Sequence, residues 1–556
     1  PRHRRDGELL VSEAPPGALR RLRWWIALPA AVLGGLALDA ATPWLAWWPA
    51  ALIGAALVLA ALWQQRARAG LGLGAAAGAA FWLPHIHWLT LYLGPVPWLA
   101  LAGVMIAWFA LCGLGIAVAT RGIARLPYPR WGLLAAQAIA AAGLWVLREQ
   151  LQSSWPYGGF AWGRIAHTQA EGPLSGLVSW LGFSGLSGLV VLACAIPVAA
   201  WFSRPRGPLQ PILVSAVVVV ALALTALVPP AGLEQTGTLR VAAVQGNSKS
   251  GIFDDRENGD VFRAHLNATE LLLDELENRG EQVDLVVWPE NSAEFGLPDN
   301  PGRSLAVRRL AERAGAPVVV GTILANDDGT YSNSTLVFDG EGDTGLRYDK
   351  RRPVPFAEYM PNRDFFHALA PDLVDLVQLE YAAGERPAVL DIPLLPRGTE
   401  AADGPGAAGA HSDAPPESVR AGIAICFDII FDDQAEAMTA GGAELILAQT
   451  NNADFGRTDE SAQQLQIARL RAVETGRALV NISTVGTSAI VAPDGSDLAA
   501  IEPHTAGGMV AEVPLVTGLT PALRFGSWIA AGWMLLGAGG FIAGLGALIR
   551  ERGRRD

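Results

Sequence analysis

Cysteine is nearly absent: three occur in 556 residues. Two of them, Cys112 and Cys194, lie inside apolar runs, where a thiol packs as a small hydrophobe. Cys426 is the lone cysteine of the polar part of the chain, which excludes a disulfide within that part and leaves a thiol that is either inert core or reactive. Lysine is scarcer still, at positions 249 and 350 only, in a chain that otherwise uses arginine. Surplus positive charge is missing as well. The formal net charge is -12 and the arginine clusters lie between hydrophobic runs. Nucleic-acid binding is excluded on that ground, because neutralising phosphates takes clustered Lys and Arg. Charged residues make up 17% against 51% hydrophobic, with a mean hydropathy of +0.28. That balance is unusual for a soluble protein and implies membrane segments.

What is present is unevenly spread. Ala, Leu, Val, Gly and Trp dominate up to about Pro230 and again from about Ala522, whereas the stretch between reads as an ordinary globular sequence. At about 20 apolar residues per span, eight windows are expected to cross a bilayer: Trp24 to Leu38, Pro43 to Trp63, Leu71 to Leu91, Pro97 to Thr120, Trp131 to Leu147, Leu177 to Phe202, Pro211 to Val228 and Ala522 to Ile549. The first is the shortest. It lacks a small-residue cleavage site and is read as a retained helix. Basic residues in short loops set orientation. Arg20, Arg21 and Arg23 precede the first span, Arg66 and Arg68 follow the second, and Arg121, Arg125 and Arg130 follow the fourth. Arg204 and Arg206 follow the sixth, and Arg550, Arg552, Arg554 and Arg555 the last. The loops after the first and third spans carry none, and the one after the fifth carries Arg164 with Arg148 at its edge. Both termini are therefore expected in the cytoplasm and the insert on the outer face. The expected layout is a cytoplasmic segment 1–21, a membrane domain 22–230, an extracytoplasmic domain 231–521, an eighth span 522–549 and a basic tail 550–556.

Within the insert, β-branched runs alternate with helical patterns, as when strands are buried under helices. Strands are expected at Leu239 to Val244, Val283 to Trp288, Pro317 to Leu324, Thr335 to Phe338, Arg420 to Ile425, Ala443 to Ala448, Ala478 to Ser483 and Ser488 to Ala492. Helices are expected at Arg256 to Asn278, Ser304 to Ala314, Gln434 to Ala440 and Ser461 to Glu474, giving a layered α/β sandwich. Residues 397–417, rich in Ala, Gly, Pro and Asp without apolar periodicity, read as a disordered surface insertion. No internal repeat is visible.

Three reactive side chains stand at strand ends or just after them, where a sheet can aim them into one cleft. Glu290 ends Val-Asp-Leu-Val-Val-Trp-Pro-Glu, Lys350 ends Leu-Arg-Tyr-Asp-Lys, and Cys426 ends Ala-Gly-Ile-Ala-Ile-Cys. A thiol attacks a carbonyl as thiolate, so it needs a base to take its proton and a cation for the oxyanion that develops. Each has an ordinary alternative: a buried small residue for Cys426, a surface carboxylate for Glu290, and a solvated charge for Lys350, whose rarity nucleotide composition could also explain. Asp428, two residues past the only thiol of the domain, and the rigid Pro289 before Glu290 favour function.

Trp288-Pro289-Glu290-Asn291-Ser292, Tyr348-Asp349-Lys350 with Pro353-Val354-Pro355-Phe356-Ala357-Glu358-Tyr359, and Ile425-Cys426-Phe427-Asp428 resemble the carbon-nitrogen hydrolase (nitrilase) superfamily. With eight spans placed around such a domain, the whole resembles the bacterial apolipoprotein N-acyltransferases. The resemblance implies a four-layer αββα sandwich on the outer face of a polytopic helical membrane domain. It implies Glu290 as base, Lys350 as oxyanion stabiliser, Cys426 as nucleophile, and Glu358 as a second acid that orders the site or bonds to Lys350. Tyr348, Phe427 and Asp428 flank these, and Asn247 in Gln245-Gly246-Asn247 and Asn451 in Asn451-Asn452 would line the cleft. Phe427 and Asp428 stand where Tyr and Glu often follow the nucleophile, Phe253 where relatives carry Trp, and Asp454 where an aromatic is common.

The implied reaction moves a fatty acyl group from a phospholipid to Cys426 and on to the amine of a diacylglyceryl apolipoprotein in the bacterial cell membrane, with no cofactor and no metal. An association with a polyprenol-phosphate mannosyltransferase is also implied, since some relatives carry one, although no such domain is read here. The aromatic loop 155–162 would steer head groups or simply form an interfacial belt, and His85 and His87 are read as interfacial packing. Rival readings are a membrane-anchored amidase or nitrilase and, from another class, a transporter or scaffold with an inactive globular module.

Overall fold

A chain that crosses lipid must close its backbone hydrogen bonds within helices or a closed barrel, and the apolar flanks here take the helical route. The computed structural model describes residues 20–203, 209–251, 255, 257–395 and 416–554. The N-terminal segment to residue 19, Arg204, Arg206, Phe253, Arg256, Arg555 and most of the 397–417 insertion lie outside the described residues. The chain divides into two compact units, Pro1–Ala231 with Pro521–Asp556, and Gly232–Thr520.

In the first unit, α1 (Trp24–Ala40), α2 (Pro49–Leu62), α3 (Ala67–His85), α4 (Pro95–Ile123), α5 (Arg130–Gln152), α6 (Val178–Ser203) and α7 (Leu209–Thr225) precede the insert, and a helix over Pro521–Arg552 follows it. α2 and α4 open on proline at the first helical turn, where the missing N–H leaves nothing unsatisfied. Each expected window contains a helix, but the lengths differ. Among the described residues, Pro95–Ile123, Arg130–Gln152, Ser175–Ser203 and Pro521–Arg552 are long and apolar enough to cross a membrane, and Ala67–His85 becomes so only with His87–Leu93 across a 56° bend. α1, α2 and α7 have 17, 14 and 17 residues. At about 1.5 Å per residue they fall short of a roughly 30 Å hydrocarbon core. Eight windows of one kind thus become four long helices, one bent pair and three short apolar helices.

Several polar side chains buried in this unit bond to one another. The Arg148 guanidinium lies 4.2 Å from the Phe109 ring centroid and donates to Gln152 Oε1 and Glu149 Oε1, both at 3.1 Å. Glu149 Oε1 also accepts from Trp145 Nε1 at 2.9 Å and from the Ile165 N–H at 3.0 Å. This pins the loop after α5, in which Phe160 and Trp162 turn inward and stack at 5.7 Å, while Trp155 stays 65% exposed. The aromatic stretch 155–162 is therefore core at one end and surface at the other. His85 Nδ1 lies 3.3 Å from the Asp39 carboxylate and stacks on Phe81, and His87 meets Trp98 edge-on.

Among the described residues, the second unit holds twelve strands: β1 (Glu234–Gln245), β2 (Leu285–Val287), β3 (Val318–Ala325), β4 (Tyr331–Phe338), β5 (Asp343–Asp349), β6 (Val389–Pro393), β7 (Ser418–Ile425), β8 (Leu445–Thr450), β9 (Leu479–Ser483), β10 (Ser488–Val491), β11 (Asp497–Ile501) and β12 (Gly507–Thr517). They form two six-stranded sheets, β12-β1-β2-β3-β4-β5 and β11-β10-β9-β8-β7-β6. Both follow one plan. Three central strands run parallel, two antiparallel strands extend one side, and one antiparallel strand closes the other. The parallel crossovers are α8 (Asp260–Arg279) and α9 (Pro301–Ala314) in the first half, α10 (Asp432–Ala440) and α11 (Glu460–Thr475) in the second. The fold is thus duplicated in topology although no repeat shows in the sequence.

The sheets meet face to face. Gln449 on β8 donates to the Trp288 carbonyl and accepts from Thr335 on β4, each at 2.5 Å, and Ser488 on β10 donates to Gln245 on β1 at 2.7 Å. Outside the first sheet, Leu272, Leu276, Val307 and Leu310 of α8 and α9 pack on Val286, Val320 and Leu336. Burying such a side chain contributes roughly 1.5–3 kcal/mol. α10 and α11 lie against the second sheet, completing an αββα sandwich. The inner strands are covered on both sides, which is why they read as continuous apolar runs.

Candidate active site

The parallel strand β2 is wholly buried, and the chain then turns at Trp288, whose Nε1 donates to Thr269 Oγ1 at 2.9 Å. Pro289 stiffens the turn, and Glu290 emerges with 4% of its surface exposed. β3 passes so close behind that a Cβ on Gly321 would sit 2.5 Å from the Pro289 carbonyl oxygen and 2.8 Å from the Glu290 Cα. Lys350 leaves β5 with its N–H bonded to the Asn333 carbonyl at 2.8 Å and is 2% exposed. Cys426 follows β7 at φ +50° and starts a single 3-10 turn, Cys426–Ile430. A non-glycine residue held in the left-handed region stores strain, a condition that clusters at functional sites.

Glu290, Lys350, Glu358 and Asn333 meet directly. Lys350 Nζ lies 3.2 Å from Glu290 Oε1 and 2.9 Å from Glu358 Oε1. Asn333 Nδ2 donates to the same two oxygens, at 2.7 and 3.2 Å. Glu358 Oε2 accepts from the Val354 N–H at 2.6 Å, fixing the Pro-Val-Pro-Phe loop that carries it. Burial works against the Lys350 ammonium, but Glu290 and Glu358 together hold its pKa well above the ordinary lysine value. Burial lifts Glu290, with Lys350 opposing and Glu358 reinforcing. Burial likewise pushes the Cys426 thiol up, Glu290 adds to the rise and Lys350 opposes it. At rest the site therefore holds a neutral thiol beside an ionised Lys350.

Asp428 is a structural brace. It accepts from Tyr348 OH and the Arg352 N–H, both at 2.8 Å, from the Ile425 N–H at 3.2 Å and from the Arg351 N–H at 3.4 Å. One carboxylate thus ties the turn bearing Cys426 to the strand end bearing Lys350. Tyr348 is buried and also accepts from Gln434 Nε2 at 2.9 Å. Phe427 packs edge-on against Phe431, whose ring carries the Arg352 guanidinium at 4.6 Å.

The other residues singled out in the sequence lie on the loops that follow β1 and β8. Asn247, at φ +51°, has an exposed side chain, and its N–H bonds to the Thr484 carbonyl at 3.0 Å. Asn451 ties loops together, accepting from Ser250 and Thr484 hydroxyls at 3.1 and 2.6 Å. Asp454 stands in a half-buried turn after β8. Conversely, Asn333 and Gln464, whose Nε2 lies 3.6 Å from Cys426 Sγ, were not read as site residues. A faint signal existed for the first: Ser332 to Thr335 is a polar run inside a strand that is buried from Ser332 onward.

A family model described as "Apolipoprotein N-acyltransferase N-terminal domain" matches residues 34–196, within the helices of the first unit. One described as "Carbon-nitrogen hydrolase" matches residues 240–518, the sandwich from β1 to β12. The apolipoprotein N-acyltransferase of Mycolicibacterium smegmatis is 33% identical over 545 residues, covering 92% of this chain and 84% of that protein. Its counterpart in Azotobacter vinelandii is 30% identical over 528 residues, covering 91% and 92%. That of Pseudomonas putida is 30% identical over 421 residues, covering 72% and 74%. With similarity of this extent running through both units, the chain belongs to the apolipoprotein N-acyltransferase family.

Proposed function

We propose that the chain transfers a fatty acyl group from a phospholipid to the α-amine of a diacylglyceryl-cysteine at an apolipoprotein N-terminus, through a thioester on Cys426. Glu290 takes the thiol proton as Sγ attacks the ester carbonyl, and Lys350 with a backbone N–H holds the oxyanion. Collapse breaks the ester C–O bond, and the proton returns from Glu290 to the departing lysophospholipid oxygen. The amine of the acceptor then attacks the thioester. Glu290 takes its proton, the C–S bond breaks, and the proton passes to the sulfur, leaving an amide and the free thiol. The observation that carries this reading is the Lys350 ammonium clamped between the buried Glu290 carboxylate and the part-buried Glu358 carboxylate, in the electrostatic reach of the thiol. Glu358 keeps Lys350 charged and in place.

A membrane unit suits such substrates, because drawing acyl chains into water costs about 0.8 kcal/mol per methylene. Arginine-rich loops alternating with loops that carry little or no Lys and Arg support cytoplasmic termini and an outer-face catalytic unit. Mass spectrometry of the purified protein incubated with phospholipid is expected to find a fatty acyl thioester on Cys426, discharged by a lipopeptide amine. Cys426→Ala should carry none. An acyl group on another residue, or ammonia release from amides without acyl transfer, would overturn the proposal.

A further inference from the structure

Glu460, Asn452 and Gln464 form a buried polar group that the mechanism above does not use. All three are less than one-tenth exposed. The hydrogen bonds run in one direction and begin at a backbone amide, whose polarity cannot be reversed. The Gly486 N–H donates to Ser483 Oγ at 2.9 Å, so the Ser483 hydroxyl proton is free to donate to Asn452 Oδ1 at 2.6 Å. With its oxygen thus occupied, Asn452 must present its NH2 on the other side, where it donates to Glu460 Oε2 and Gln464 Oε1, both at 2.8 Å. Gln464 then has its oxygen committed to Asn452, and its NH2 faces Cys426 Sγ at 3.6 Å. Each amide orientation follows from the one before.

We infer that Gln464 is a further catalytic residue of this reaction, a fixed N–H donor to the Cys426 sulfur, held in that orientation by Asn452 and Glu460 as positioning residues. The inference rests on the nucleophile assignment made above. A hydrogen bond to sulfur gains strength when the sulfur becomes anionic, so the donor favours the thiolate that Glu290 generates and, after acylation, the thiolate that leaves. Burial lifts Glu460 to about 8, with the Asn452 donor opposing and the charges of Glu290 and Asp454 reinforcing. Below that pH it is neutral, so Asn452 is anchored without a negative charge being placed near the sulfur.

The test is the pH dependence of Cys426 alkylation by iodoacetamide in the full-length protein in detergent, alongside thioester formation from phospholipid. Gln464→Met keeps the bulk and removes the donor. Gln464→Glu keeps the acceptor for Asn452 and puts an oxygen against the sulfur. At neutral pH alkylation is expected to fall by about 10- to 100-fold in Gln464→Met and further in Gln464→Glu, with both profiles displaced to higher pH. The melting temperature of Gln464→Glu reports on folding should Gln464→Met be unstable. Wild-type alkylation profiles in a folded Gln464→Glu would overturn the inference. If Cys426→Ala retained acyl transfer, the nucleophile assignment itself would fail, a separate result.

Discussion

Glu290 has to be ionised to accept a proton, yet burial and the neighbouring Glu358 lift its pKa above the ordinary 4.5 while Lys350 pulls the other way. A base with a raised pKa is better matched to a thiol that burial has also raised. The catalytic rate of thioester formation should therefore fall as pH drops through a value above 4.5, and Glu290→Gln should lose at least about 1000-fold in rate. A rate–pH profile flat down to pH 4.5 would contradict this. Glu460 makes the opposite kind of demand, on stability. Its folded pKa of about 8 exceeds the 4.5 of the free side chain, so the folded state binds the extra proton. That contribution is complete below about 4.5 and is lost as pH rises through about 8, a span of the order of a few kcal/mol. The melting temperature should drop between about pH 5 and 8, and Glu460→Gln should flatten the drop. Glu290, Lys350, Glu358 and Cys426 were legible because each ends a strand or sits in a loop motif. Gln464 was not: it lies mid-helix, 38 residues from the sulfur, and no local pattern marks which face of α11 meets a strand end.

The eight strands expected from apolar runs are the inner strands of both sheets, and the four that the sequence left unmarked, β5, β6, β11 and β12, are the four edges. An inner strand here is covered by helices on one side and the partner sheet on the other, so it is largely apolar and its few polar side chains bond across the sandwich. An edge strand is half solvated and takes its conformation from its neighbour's ladder. β11 is the clearest case, mostly exposed and paired only with β10. β12 owes its place to eleven paired positions along β1 rather than to any alternation of its own. The duplicated topology was hidden for the same reason, since each half is defined by pairing. Inner strands also position the chemistry through contacts that leave no sequence pattern. Gly321 of β3 lies against the backbone of the Pro289–Glu290 turn, and backbone atoms cannot swing aside as a side chain can. Gly321→Ala should therefore displace Glu290 and lower thioester formation by at least about 10-fold. The melting temperature should fall as well, since overpacking against backbone typically costs about 1–3 kcal/mol. A large unfolding effect with unaltered rate per folded molecule would show that the glycine serves stability alone.

Antiparallel pairing of Glu234 with Thr517 sets the two ends of the catalytic unit side by side, so the whole unit can be inserted into a helical protein without separating the flanking segments. The helical unit must then recover its last helix, Pro521–Arg552, after the whole Gly232–Thr520 excursion. It does so through small-residue contacts, the means of helix association available where lipid removes the hydrophobic drive. Gly544 meets the backbone of Gly122 and Ala119 on α4, and Gly537 meets that of Gly143 on α5. The sequence shows this helix plainly as an apolar run. It could not show which face turns inward, because a helix apolar all round carries no periodicity to distinguish protein from lipid. Gly546, a little further along the same helix, faces open space within 4 Å, and with Gly544 it makes a controlled comparison. Gly544→Leu in the full-length protein should lower the melting temperature in detergent by several degrees and make the last helix readily released by trypsin after Arg524. Gly546→Leu should leave both unchanged. Equal sensitivity at the two positions would mean that close packing against α4 does not hold the helix, and that it is retained by its tether to β12 alone.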